Sequence, residues 1–153
     1  MPYYILFDTE TTGGLDEDRI IQIGAIVLDA KGNFEFFNEF VKAPVDIKLE
    51  AMEVHNITPD MIQDASLFND TKFCKRLNEL NSEENYLIAH NLIFDLTMVE
   101  KEGFKSKLKN IDTLRCARHL LSNLPFHRLQ YLRYALDLYK DESTEATKMN
   151  LQI

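Results

Sequence analysis

The stretch YYILFDTETTGG, residues 3–14, joins a short apolar segment to two acids, two threonines and two glycines. The segment is rich in aromatic and aliphatic residues and ends at turn-forming residues, which is typical of a buried β-strand. Asp8 and Glu10 are two residues apart, so their side chains share one face of that strand. Neighbouring carboxylates repel, so one must take up a proton or both must share a cation. From these residues alone, a divalent-metal site and a pair of solvated or turn-capping acids both remain open.

The rest of the chain predicts further strands and then alternating strands and helices. A tight turn at residues 31–33 separates two strand patterns, at residues 19–29 and 34–41. A short helix and a loop are predicted within residues 46–57, and a further helix starts at Thr58 and Pro59. Longer helices are predicted at 66–80, 92–104, 113–121 and 127–140, with strands at 85–91 and near 110–112. Gly103 should close one helix and Asp112 should cap the next. This order predicts an α/β protein with a sheet of mixed direction and helices on its faces.

A second group of polar residues stands in AHNLIFD, residues 89–95. Asn91 and Asp95 are four residues apart, which puts them on one face of the helix expected to follow the strand. The start of that helix and the end of its strand should lie at the same sheet edge as Asp8 and Glu10. The helix dipole also favours an acid in a first turn, so a purely structural Asp95 remains open. Convergence of three acids from two strand ends favours a site.

Composition indicates one soluble globular domain. The chain has 153 residues, of which 45% are hydrophobic and 27% charged. No apolar run approaches the ~20 residues of a membrane span, and the first residues lack the basic region of a secretory signal. Cys74 and Cys116 are far apart and lack metal-site spacing, which predicts buried reduced thiols and a cytoplasmic location, with no membrane partner.

Charge is unevenly distributed along the chain. The net charge is −8, which by itself argues against a nucleic-acid partner. Residues 1–95 hold 18 acids and 7 bases, whereas residues 96–153 hold 7 acids and 10 bases. The second part includes Arg115, Arg118, Arg128 and Arg133. A solvated helical face and a phosphate-tracking edge both remain open.

Five blocks in order make a family recognisable: FDTETTG, RIIQIGAIVLD, VHNITPDM, IAHNLIFD and IDTLRCARHLL. The chain closely resembles the DEDD 3′–5′ exonucleases, and in particular the proofreading epsilon subunits of bacterial DNA polymerase III. The resemblance implies a ribonuclease H-like fold over residues 1–153 and two Mg²⁺ or Mn²⁺ ions. Asp8 would contact both ions, Glu10 one, and Asp95 the second. Implied partners are the 3′ end of single-stranded DNA and a polymerase catalytic subunit.

The same resemblance implies substrate contacts. These would come from Thr11, Thr12, Met52, His55, Asn91 and Phe94. Met52 and Phe94 could equally belong to the core, and Thr12 could simply close a turn. We expect His90 either to support the site or to be structural, and His119 and His127 to be ordinary helix-end residues.

The family's third block is not found in this sequence. It holds a fourth metal-binding Asp at a fixed spacing after a His or a Tyr, which acts on the attacking water. Neither His119 nor His127 has such an Asp, and Tyr134 precedes Asp137 by one residue too few. Residues 145–153 resemble the lead-in to a missing helix, which predicts a C-terminally truncated domain. A rate lowered by on the order of 10²–10⁴-fold and exposed apolar surface would follow.

Three functions remain open at this point. The first is a metal-dependent exonuclease that releases nucleoside monophosphates from DNA 3′ ends, in proofreading or end trimming. The second is an RNA-directed exonuclease of the same superfamily, since contacts to the 2′-hydroxyl decide sugar choice. The third is a catalytically incomplete module that binds nucleic acid or serves as a scaffold.

Overall fold

The computed structural model describes residues 1–141 of the chain. The strands are β1 (Tyr3–Thr11), β2 (Ile20–Asp29), β3 (Phe34–Phe40), β4 (Tyr86–Ala89) and β5 (Lys109–Asp112). The helices are α1 (Leu49–His55), α2 (Pro59–Ile62), α3 (Lys72–Glu79), α4 (Leu92–Lys101), α5 (Thr113–Leu120) and α6 (Leu129–Ala135). Phe68–Asp70 and Leu138–Asp141 form short 3₁₀ helices.

The strands form one mixed sheet in the order β3-β2-β1-β4-β5. The central strand β1 runs antiparallel to β2 and parallel to β4, and β5 runs parallel to β4. The carboxyl ends of β1 and β4 therefore meet at one edge of the sheet. The predicted α/β class with a mixed sheet flanked by helices is confirmed.

Strict alternation along β1 separates the core from the candidate site. Ile5, Phe7 and Thr9 are buried, whereas Asp8 and Glu10 are half-buried and point to the other face. The core face packs against α3 and α4 through side chains such as Phe73 and Val99. One face of the strand thus holds the fold together, and the other presents its two acids.

A smaller apolar cluster seats α1 and α2 beside the sheet. Its buried members are Ile21, Ile47, Ile57 and Ile62. Met52 of α1 packs against it, so this short helix is held by its contacts with the sheet rather than by its own length.

Two predicted helices are shorter than expected. The helix expected at residues 66–80 is divided, because the Thr71 hydroxyl accepts the Cys74 N–H at 3.1 Å and starts α3 anew. The helix expected at 127–140 ends at Ala135, because Asp137 adopts a left-handed conformation with φ 59°. The predicted closure at Gly103 is confirmed by its φ of 96°.

Other expectations have mixed outcomes. Cys74 is buried as predicted, but Cys116 is exposed on α5, so that part of the prediction is wrong. Within residues 1–141, no helix is long and apolar enough to cross a membrane. The predicted lead-in at residues 145–153 lies outside the described residues.

Candidate active site

Asp8 and Glu10 lie near the carboxyl end of β1. Gly24 is the residue paired with Asp8 on β2. A Cβ added to Gly24 would meet no atom within 4 Å, so the surface beside the acids is open. Both acids line a cavity.

Asp95 reaches the same end of β1 from the first turn of α4. Its side chain is buried, and its Oδ1 accepts the Thr9 N–H at 2.9 Å and the Thr9 hydroxyl at 2.8 Å. These bonds form beyond Leu6, the last β1 residue that pairs with β4, where the strand edge is free. Thr9 was not singled out from the sequence; the only signal for it was its position between the two acids.

The surroundings of all three acids oppose their ionisation. Burial, and then the charge of Asp8, raises the pKa of Glu10 to about 7. Burial also raises the pKa of Asp95 to about 7, because the Thr9 hydrogen bonds that lower it are outweighed and Asp8 adds repulsion. Burial raises the pKa of Asp8 despite the opposing influence of His90. The three groups are thus electrostatically coupled, with Asp8 at their centre.

The donor chemistry of this group fits a hard divalent cation. Carboxylate oxygens are the ligands that Mg²⁺ and Mn²⁺ prefer, and positive charge would offset both the repulsion and the desolvation. Within residues 1–141, however, no three His, Cys, Asp or Glu side chains already stand where they could hold a metal ion together. Asp95 is turned toward Thr9, so it and the β1 acids would have to close around an ion.

One cavity of about 550 Å³ lies beside Glu10, and we call it the loop pocket. Thr11, Gly13, Gly14, Lys48, Val54, His55 and Phe94 are among its lining residues. His55 Nδ1 accepts the Ile57 N–H at 3.0 Å, so its Nε2 donates to the Thr11 carbonyl at 3.1 Å. Burial lowers the pKa of His55, although the bond to Thr11 opposes this. A neutral His55 therefore ties α1 to the end of β1.

A buried network holds the loop after β1 against the start of α1. The Asp18 carboxylate accepts the Thr12 hydroxyl at 2.8 Å, the Leu15 N–H at 2.7 Å and Lys48 Nζ at 2.7 Å. The Lys48 N–H also donates to the Thr12 carbonyl at 3.0 Å. A Cβ on Gly13 would stand 2.6 Å from Asp18 Oδ2, so only glycine fits there. Asp18 and Lys48 could not be identified from the sequence, because they are 30 residues apart in the chain.

A second cavity of about 1040 Å³, the helical groove, lies on the other side of the acids. Asp8 and Glu10 line it together with His90, residues of α5 and α6, and residues 125–128 between them. His90 Nε2 donates to the His127 carbonyl at 2.7 Å, and His127 Nε2 donates to the Leu121 carbonyl at 2.9 Å. These bonds fix the segment before α6 to the end of β4, and both imidazoles have structural partners.

Three of the predicted substrate contacts lie differently from expectation. Thr12 is fully buried and its hydroxyl is bonded to Asp18, so it offers no surface to a substrate. Met52 lines neither the loop pocket nor the helical groove and packs in the small apolar cluster. Asn91 precedes α4 in a left-handed conformation instead of sharing a helical face with Asp95. Its N–H donates to Asp112, whose carboxylate caps α5 as predicted.

Comparison with known proteins places this geometry in a family. The model of the RNase_T family, described as exonuclease, matches residues 5–143. The chain belongs to this exonuclease family.

Two named relatives are DNA polymerase III proteins. The chain is 31% identical over 143 residues to the DNA polymerase III subunit epsilon of Treponema pallidum, covering 87% of this chain and 63% of that protein. It is also 31% identical over 136 residues to the PolC-type DNA polymerase III of Caldanaerobacter subterraneus, covering 84% of this chain. The chain spans only 9% of that PolC protein, and less than two thirds of the epsilon subunit.

Solved structures share the fold. Exonuclease X in complex with 5′ overhanging duplex DNA superposes with a TM-score of 0.70 at 22% identity, over 88% of this chain and 73% of that one. Exonuclease I of E. coli in complex with a 5cy-dA13 oligonucleotide gives a TM-score of 0.70 at 18% identity, over 88% of this chain and 36% of that one. The ribonuclease H-like exonuclease architecture is confirmed.

Proposed function

We propose that this chain is a metal-dependent exonuclease, which removes nucleoside monophosphates from the 3′ end of single-stranded DNA. The observation that carries the proposal is the convergence of Asp8, Glu10 and Asp95 at the end of β1, where the loop pocket and the helical groove meet. A phosphodiester held at this junction would have a nucleotide-sized cavity on one side and a longer groove on the other. We further propose that residues 1–153 act as one exonuclease domain in the cytoplasm.

Asp8, Glu10 and Asp95 are the proposed ligands of two Mg²⁺ or Mn²⁺ ions. When bound, such a pair supplies positive charge that activates the attacking water and stabilises the leaving 3′ oxygen. The chain's own contribution is positioning. Thr9 holds the Asp95 carboxylate through two hydrogen bonds, and His55 fixes the Thr11 carbonyl beside Glu10.

The loop pocket is the proposed place of the 3′-terminal nucleotide. Phe94 lines it from α4, and a half-buried ring there can stack on a base. Gly13 and Gly14 form another part of its wall, where the absence of side chains lets a sugar approach the backbone. The Asp18–Lys48 pair keeps that wall against α1.

The direction of cleavage and the proofreading role rest on the resemblance to the epsilon subunits. The relative from Treponema pallidum carries that subunit's name, and by analogy a polymerase catalytic subunit is the proposed partner. A preference for DNA over RNA belongs to the same proposal.

Single-stranded DNA labelled at either end tests this function. With Mg²⁺ or Mn²⁺, a 5′ label should remain on strands that shorten stepwise, whereas a 3′ label should leave at once as a mononucleotide. EDTA should abolish both effects, and a matched RNA should be cleaved more slowly. Early release of the 5′ label would contradict the proposed direction. Binding without cleavage under all conditions would instead support the incomplete nucleic-acid-binding module.

A further inference from the structure

The wall of the helical groove that faces Asp8 and Glu10 carries cations and aromatic rings without an assigned role. It is built from α5, α6 and the segment between them. Its relevant side chains are Arg118, Phe126, Arg128, Tyr131 and Tyr134. None of these residues belongs to the loop pocket.

The two arginines are free to bind an anion. Arg118 and Arg128 are exposed, and within residues 1–141 no carboxylate forms an ion pair with either of them. Arg128 lies over the Phe126 ring, with its guanidinium carbon 5.3 Å from the ring centroid. A guanidinium held by a ring keeps its N–H groups for a planar or tetrahedral anion such as phosphate.

Two rings of this wall stay about half exposed although each has a ring contact and a guanidinium contact. Phe126 is 52% exposed and Tyr134 is 58% exposed. Phe126 and Tyr131 meet edge to face at 5.4 Å between centroids, which orients the Phe126 ring beside Arg128. Exposed rings alternating with cations are the usual surface on which single-stranded nucleic acid stacks its bases.

The groove is continuous with the loop pocket. Glu10 and Val54 line both cavities, and Asp8 lines the groove side of the junction. A strand whose terminal nucleotide occupies the loop pocket would therefore pass the acids and continue along the arginine-bearing wall. Along this path the arginines would lie beside the phosphates of the upstream nucleotides. Their positive charge would stay away from the acids that are the proposed cation ligands.

We propose that the helical groove binds the nucleotides upstream of the cleaved bond in a single-stranded nucleic acid. Arg118 and Arg128 contact its phosphates, and Phe126 and Tyr134 stack on its bases. The inference rests on the proposed function for the position of the cleaved bond. The binding chemistry itself is shared by DNA and RNA.

Binding can be measured without cleavage. Fluorescence anisotropy of labelled oligothymidylate and oligouridylate in EDTA, over a series of salt concentrations, gives affinity and salt dependence for the full 153-residue chain. Arg118→Gln and Arg128→Gln should each weaken binding and reduce the slope of log K against log salt by about 0.7. Phe126→Ala should weaken binding by ~5-fold or more. Similar losses of affinity for both oligonucleotides would indicate that the groove binds independently of the sugar. A loss of affinity for only one of them would identify whether the groove binds DNA or RNA.

Arg115→Gln is the matched control. Arg115 lies on α5, as Arg118 does, but it lines a separate cavity with Cys116 and His119. It should bind as the wild type does, and Arg128→Lys should recover most of the salt slope. Thermal melting checks that each variant is folded. Unchanged binding by both glutamine variants, or an equal loss in Arg115→Gln, would overturn the inference, as would a wild-type chain that binds neither oligonucleotide.

Cleavage assays separate this inference from the proposed function. Arg118→Gln should raise KM for long strands more than KM for a dinucleotide, because a dinucleotide has only one nucleotide upstream of the cleaved bond. A chain that binds through the arginines but never cuts would refute only the proposed function. A chain that cuts from the 3′ end with unaffected arginine variants would refute only the groove.

Discussion

Within residues 1–141, Glu10 is one of two residues, with Asp95, whose pKa the fold raises to about 7. Its pKa of about 7 lies above the usual 4.5, so between these values the folded chain keeps a proton that the unfolded chain has released. Without metal, the free energy of unfolding should therefore fall as pH rises through that window. Glu10→Gln removes the effect and should be more stable than the wild type at about pH 8, by on the order of 1 kcal/mol, since Glu10 is only half-buried.

Urea unfolding in EDTA at about pH 4 and about pH 8 measures this difference. Glu53→Gln is a suitable control, because Glu53 is exposed on α1. The gain should be much smaller at the lower pH, where Glu10 is mostly protonated in both states. An equal gain at both pH values would show that the glutamine acts by packing rather than by removing a charge.

At the residue scale, the sequence predicted those features that depend on near neighbours. The spacing of Asp8 and Glu10 fixes their common face because a strand alternates, and the structure has this arrangement. The burial of Thr12 and the bond from Thr9 to Asp95 could not be predicted. Each depends on where a distant segment packs, and Asp95 is 86 residues from Thr9.

At the element scale, the loop after β1 and the start of α1 behave as one unit. Gly13→Ala would force a methyl group to within 2.6 Å of Asp18 Oδ2 and 2.8 Å of Lys48 Cδ. Because Asp18 is buried and held by three hydrogen bonds, we expect a loss of about 1–3 kcal/mol. Exonuclease activity should fall as well, since this wall borders the loop pocket.

Gly14→Ala is the control for that prediction. An added Cβ at Gly14 meets nothing within 4 Å, so the change should be neutral or stabilise by about 0.5 kcal/mol. Chemical denaturation of both variants gives the comparison. Equal stabilities would mean that Asp18 and Lys48 can move aside and that the network is not rigid.

Element types were more predictable than element ends. Alternation and helical spacing located the strands and the helices, because these patterns report burial directly. The sequence did not predict that one helix is split at Thr71, because that split depends on a side-chain cap. It also did not predict that another helix ends before Asp137, because that end depends on a left-handed residue within an apolar pattern. The predicted cap at Asp112 was found because its position before the helix is itself the signal.

At the scale of the whole molecule, cation binding should couple the sheet to α4. Mn²⁺ should raise the melting temperature, because it binds the folded chain and relieves repulsion among Asp8, Glu10 and Asp95. At about 100-fold over its dissociation constant the stabilisation should be ~2.7 kcal/mol. Thermal melting with and without Mn²⁺ measures it for the wild type and for Asp8→Asn.

Asp64→Asn is the control, since Asp64 is exposed after α2. It should keep the shift, whereas Asp8→Asn should lose most of it. A shift that persists in Asp8→Asn would assign the cation to another site.

The architecture followed from the order of sequence blocks, whereas the two cavities did not. The loop pocket and the helical groove are formed by segments that only the fold brings together, from β1, α1, α4, α5 and α6. The expectation that the fourth Asp and the base are missing stays a prediction, because residues 142–153 lie outside the described part of the chain.

The most direct test of the central claim is the rate of mononucleotide release from 5′-labelled single-stranded DNA by Asp8→Asn, beside Asp64→Asn, with Mn²⁺. If the acids at the end of β1 form the active site, Asp64→Asn should match the wild type and Asp8→Asn should release nucleotides at least ~100-fold more slowly. Wild-type rates in Asp8→Asn would contradict the assignment and move the chemistry away from this edge of the sheet.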